Sequence, residues 1–170
     1  MQATIAVVLL LTGTIAQEVT APALKAGYIY NFVRFTEWPD DVRAPQPLVM
    51  CVLADPAVGD ALERMVQGRK LAGRSMTVSL IAMSGSTQAC HVLYLSNVLP
   101  GQAAQVIAGL NNRPVLTISD LEGFTEAGGM AQFFFERGQL RFSIGNDAVK
   151  RARLQISSRL LALAKRYEGG

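Results

Sequence analysis

The sequence predicts an α/β three-layer sandwich: a mostly parallel sheet of about six strands, ending in a C-terminal antiparallel hairpin, with helices on both faces. Three observations predict it. Residues 48–54 and 90–95 are continuous apolar runs, the mark of strands buried on both faces. Segments with helical spacing or helical end signals alternate with the strand-like runs, which demands right-handed crossovers. Arg137-Gly138 separates two strand-like runs and reads as a tight turn.

Each element has its own signal. Leu24, Tyr28, Phe32 and Phe35 recur at helical spacing, widened by Ile29 and Val33, and predict a helix over residues 20–36. Pro22 falls in its first turn, where proline is tolerated. The Trp38-Pro39 step ends it, because a residue before proline is pushed out of the helical region. Ala44-Pro45-Gln46-Pro47 is a stiff connector into the strand at 48–54. Asp55 then caps a helix with Pro56 at its first position, running to about Gln67 with Gly68 beyond it. Residues 75–81, rich in Val, Thr and Ile, form the next strand. The strand at 90–95, a helix from Pro100 to about Gly109 and a strand at 114–119 follow. Residues 130–136 and 139–144 make the hairpin. Asn146 or Asp147 caps a last helix to about Tyr167, with Val149, Ala152, Ile156, Leu160, Leu163 and Ala164 on its apolar face.

The chain of 170 residues is one domain's worth, and at 50% hydrophobic and 17% charged it has ample material for a core. Its net charge of +3 comes from scattered basic residues, which argues against a nucleic-acid interface. Residues 5–11 are an apolar run, followed by small residues ending at Ala16 and then Gln17-Glu18. This reads as a signal peptide over residues 1–16, although Met1-Gln2-Ala3-Thr4 lacks a Lys or Arg. The expectation is an exported single domain over 17–170, in the periplasm. Cys51 and Cys90 form an even pair. Export would favour a disulfide between them; otherwise they are two buried thiols acting as small hydrophobes.

Candidate chemistry is sparse. One His and two Cys fall short of an ordinary zinc site. The stretch after the first buried strand, Asp55-Pro56-Ala57-Val58-Gly59, carries no phosphate-cradling glycine pattern. Asp120 and Glu122 flank a turn and point apart. His91 reads as a half-buried histidine inside a strand. A phospho-receiver domain has a similar order of elements. That reading fails because Ser96-Asn97 stands where its acceptor aspartate should be and no lysine stands at the end of a later strand. No catalytic residue, metal or cofactor is expected. Trp38 is either a core plug or a partner anchor, and Phe133-Phe134-Phe135 cannot all face one side of a strand.

Several stretches taken in order resemble the YfiR-like family of periplasmic proteins. They are Lys25-Ala26-Gly27-Tyr28-Ile29-Tyr30-Asn31-Phe32, Phe35-Thr36-Glu37-Trp38-Pro39, Val49-Met50-Cys51-Val52-Leu53, Cys90-His91-Val92-Leu93-Tyr94-Leu95-Ser96, Val115-Leu116-Thr117-Ile118-Ser119-Asp120 and Leu140-Arg141-Phe142-Ser143-Ile144. Asn146 and the closing stretch from Ile156 to Ala164 complete the match. The resemblance implies a repressor rather than an enzyme. It would bind the periplasmic sensor region of an inner-membrane diguanylate cyclase, lowering cyclic-di-GMP and biofilm formation. An outer-membrane lipoprotein would relieve it. It also implies a homodimer and matches Cys51 and Cys90 to one family disulfide. A second family disulfide has no counterpart, since residues 125–132 contain no Cys. Phe134, Ser143, Val149 and Trp38 are the candidate partner-binding residues. The competing reading is a periplasmic small-ligand sensor with a cleft at the strand ends.

Overall fold

The structure is a computed structural model, and it describes residues 20–42 and 46–165. The expected signal peptide, part of the 44–47 connector and the end of the expected last helix lie outside the described residues.

Helix α1 (Ala21–Arg34) starts where Thr20 caps it, the hydroxyl accepting from the Ala23 amide at 3.4 Å. It buries Ala26, Ile29, Phe32 and Val33. It ends before the Trp38-Pro39 step, because the Phe35 amide turns back onto Asn31 and Phe32. Thr36–Glu37 then leaves as a short strand, β1. Strand β2 (Leu48–Leu53) follows a single 3-10 turn at Asp40–Val42. Helix α2 (Pro56–Val66) carries the expected start: the Asp55 carboxylate accepts from the Val58 amide at 3.2 Å, and Pro56 occupies the first turn.

The sequence-based reading missed one strand here. β3 (Lys70–Leu71) and β4 (Arg74–Ile81) are an antiparallel hairpin. The turn is Ala72-Gly73, with φ of 48° and 79°, the two-residue turn whose twist matches paired strands. Then come β5 (Val92–Leu95), α3 (Pro100–Leu110), β6 (Leu116–Ser119), β7 (Ala131–Glu136) and β8 (Gln139–Ile144). Arg137 and Gly138, at φ 50° and 74°, close the expected hairpin between the last two. Cys90 and His91 fall just before β5, not inside it, although the His91 amide already donates to the Val49 carbonyl.

The expected long C-terminal helix is three pieces: α4 (Asn146–Arg151), β9 (Gln155–Ile156) and α5 (Ser158–Leu161). Arg153 sits in the left-handed region at φ 57°, and the Leu154 amide closes back on the Val149 carbonyl. β9 then pairs antiparallel with β1, Thr36 opposite Ile156. A tertiary pairing overrides a helical pattern here. Val149, Ala152 and Leu160 are buried as expected, but Leu163 is exposed. The helix cap also differs. Gly145 stands at the N-cap with no side-chain bond, and a Cβ there would come within 2.6 Å of the Gly129 carbonyl.

The main sheet has seven strands in the order β3-β4-β2-β5-β6-β7-β8. From β4 to β7 every pairing is parallel, and an antiparallel strand closes each edge. The sheet is thus one strand wider than expected. Alternation sorts its side chains. Met50, Val52, Val92, Tyr94, Leu116 and Ile118 face α1 and α2, while Cys51, Leu53, Leu93 and Leu95 face α3. Each layer follows from apolar residues at both parities, so the three-layer α/β sandwich is the observed fold. The Cys51–Cys90 disulfide is formed, with Cα atoms 5.7 Å apart.

Candidate functional site

In a sheet of parallel strands, the carboxyl ends form the natural binding edge. β2, β5 and β6 deliver Asp55, Ser96 and Asp120 to that edge. Asp120 is paired with Lys25 from the first turn of α1, Nζ to Oδ2 at 2.5 Å, and both side chains are largely shielded. Asp120 and Glu122 are therefore not an acid–base couple: the first is neutralised by an ammonium and the second is exposed. Ser119 donates its hydroxyl to the Leu95 carbonyl, and Gln132 accepts from the Phe124 amide, so both buried polar groups are spoken for. Tyr94 is the exception. Its ring is fully buried, and its hydroxyl sits beside the Ser96 and Asp120 side chains without a hydrogen bond of good geometry to either. Burial, then the Asp120 charge, hold that phenol well above its usual range.

The same edge carries exposed apolar side chains. Leu80 at the end of β4, Met83 just beyond it, Leu99 after β5 and Phe135 near the end of β7 are four of the five large hydrophobic residues exposed among the described residues. β4 to β7 is four strand spacings, so they are spread over roughly 20 Å. The phenylalanine triplet shows how the edge is made. Phe133 is buried against the rings of Tyr28, Phe32 and Tyr94. Phe135 has the same parity, yet it is 53% exposed because β7 runs past the end of α1's cover. Phe134, on the other face, is half-buried. With Lys25, Asp120, Glu122 and Leu140, the two outer phenylalanines line a shallow cavity of about 360 Å³.

The structure separates the four predicted partner-binding residues. Phe134 borders that cavity. Ser143 and Val149 are buried, so they support the hairpin from beneath and do not present a surface. Trp38 is buried at the opposite, amino end, where its indole N–H donates to the His91 carbonyl at 3.3 Å. The plug reading of Trp38 is the one the geometry fits. His91 has both ring nitrogens engaged, Nδ1 with the Val49 amide and Nε2 with Arg74. Arg74 also donates to the carbonyls of Val42, Gln46 and Pro47. Sequence reasoning missed Lys25 and Arg74. A lysine in the apolar stretch 21–33 was the available signal for the first. Nothing local marked the second.

Among the described residues no cluster of His, Cys, Asp and Glu could hold a metal ion, and no helix is long and apolar enough to cross a membrane. A comparison with protein families finds a match to the one described as YfiR/HmsC-like, over residues 22–165. The match runs from the first turn of α1 past the end of α5.

Proposed function

The chain belongs to the YfiR/HmsC-like family, and from that premise we propose that it is a repressor working by grip. It binds the periplasmic sensor region of an inner-membrane diguanylate cyclase and holds the enzyme inactive. An outer-membrane lipoprotein relieves it by sequestration. The family is one of periplasmic, non-catalytic regulators of diguanylate cyclases. Export by a leader cleaved near Ala16, an independent domain over 17–170 and a homodimeric state complete the proposal.

The observation that supports this reading is the row of exposed apolar side chains at the carboxyl edge, ending at Phe135 with half-buried Phe134 beside it. Repression by binding needs differential affinity: shifting a cyclase from mostly active to mostly inactive takes about 5.5 kcal/mol. Fully burying one large apolar side chain contributes roughly 1.5–3 kcal/mol. Two or three anchors that meet only the inactive cyclase therefore supply enough. Replacing Phe134 and Phe135 together by Asp should abolish capture by the cyclase's periplasmic segment and raise cyclic-di-GMP, while thermal unfolding shifts little. Unchanged capture by a folded double variant rules out this face.

A second reading, a small-ligand sensor, is favoured by the buried Tyr94 hydroxyl, which lies near Asp120, a residue that lines the strand-end cavity. A metabolite that raises Tm for this protein, and loses that effect in Tyr94→Phe, would support it.

A further inference from the structure

The only histidine in the chain is held between two donors. The Val49 amide lies 3.1 Å from His91 Nδ1 and can only donate, so that nitrogen carries the lone pair. Nε2 lies 3.1 Å from Arg74 Nη2, which also can only donate. A neutral imidazole has one lone pair and one N–H. It satisfies Val49 through Nδ1, and its Nε2–H faces the guanidinium without a hydrogen bond, so Arg74 is held there by its carbonyl partners. The protonated ring has N–H on both sides, satisfies neither neighbour, and places a positive charge against that of Arg74.

Among the described residues, Glu37 and Arg34 line a cavity with Trp38 and Arg74, and neither bonds to the ring. Burial first, and then Arg74 on β4, push the His91 pKa below its usual value, and no other charge acts on the ring. The other groups hydrogen-bonded to His91 are uncharged. β2 presents the Val49 amide, the chain after β1 presents the Trp38 indole, and β6 presents the Leu116 amide to the His91 carbonyl. Cys90, beside it in sequence, is locked in the disulfide and does not titrate. Arg113, near the crossover that leads to His91, is occupied by the Thr87 and Gln88 carbonyls.

We propose that His91 and Arg74 form an acid-sensitive latch at the amino end of the sheet. While His91 is neutral, Arg74 stays beside it and holds the Val42, Gln46 and Pro47 carbonyls, and Trp38 is seated on the His91 carbonyl. Protonation drives the guanidinium away and loosens those contacts together. The sign follows from the unfolded chain binding the proton more readily than the folded one. The contribution is complete above the usual histidine value of about 6.5 and is lost as pH falls through the lowered folded value.

Trp38 is the only tryptophan, so it reports on the latch directly. Its fluorescence in the full-length protein, followed from pH 8 to pH 4.5 alongside far-UV circular dichroism, should shift to the red with a midpoint below about 6.5, before the backbone signal changes. His91→Gln should remove that transition. Arg74→Gln should keep it but move the midpoint up, toward the usual histidine value, because the repelling charge is gone. A flat wild-type profile, the same transition in His91→Gln, or an unmoved midpoint in Arg74→Gln overturns the latch. If either variant does not fold, NMR titration of the single histidine in the wild type decides. A midpoint at or above the usual value sinks the proposal, and one well below it sustains it.

Discussion

The two ends of the parallel strands are built to opposite rules. At the amino end, polar groups are paired several times over. Arg74 alone reaches three carbonyls and an imidazole, Trp38 is tied to His91, and the disulfide fastens Cys90 to β2. At the carboxyl end a phenol is buried without a hydrogen bond of good geometry, the ion pairs are the shielded Lys25–Asp120 and the exposed Arg141–Glu136, and large apolar side chains face solvent. The difference teaches where stability and recognition are kept. One end is over-determined and holds the fold. The other carries small costs that a binding partner could relieve.

Breaking the amino end should cost most. Replacing both Cys51 and Cys90 by Ala removes a link across 39 residues, and the unfolding free energy should fall by about 2–5 kcal/mol in a urea titration. Adding a reductant to the wild type should lower its urea midpoint and leave that of the double variant unchanged. A smaller loss is expected at the carboxyl end from Lys25→Met. It leaves Asp120 shielded and unpaired, and should cost about 1–2 kcal/mol, less than for a fully buried pair because water still reaches both groups. The smallest effect has the opposite sign. Tyr94→Phe deletes the orphan hydroxyl and should leave stability unchanged or raise it by up to about 1 kcal/mol. A clear loss in that variant would mean the hydroxyl is satisfied, and the contrast between the two ends would weaken.

Much of this architecture could be read from local chemistry. The Asp55-Pro56 start of α2, the Arg137-Gly138 turn and the doubly apolar strands are statements a few residues long, and each stands where expected. The disulfide followed from the even count together with expected export. The failures share a cause. β9 is too short to carry a period of its own and exists because β1 is there to pair with it, 120 residues earlier (156 less 36). β3 was hidden because Ala72 gives no hint of a positive φ. The Lys25–Asp120 pair joins residues 95 apart. Burial of Ser143 could not be foreseen from an edge hairpin either, whereas Val149 was legible from its place on an apolar helical face.

The clasp between β1 and β9 also sets an order of events. Thr36 and Glu37 leave the ribosome early and must wait for Gln155 and Ile156, and the Ser157 amide reaches the Phe35 carbonyl only then. Closing so long a loop is slow and brings no reward until the last moment. Nascent chains therefore stay without this closure until almost the whole polypeptide has been made. A gene truncated just before codon 155 would yield a protein with its sheet encoded in full and its two ends unjoined.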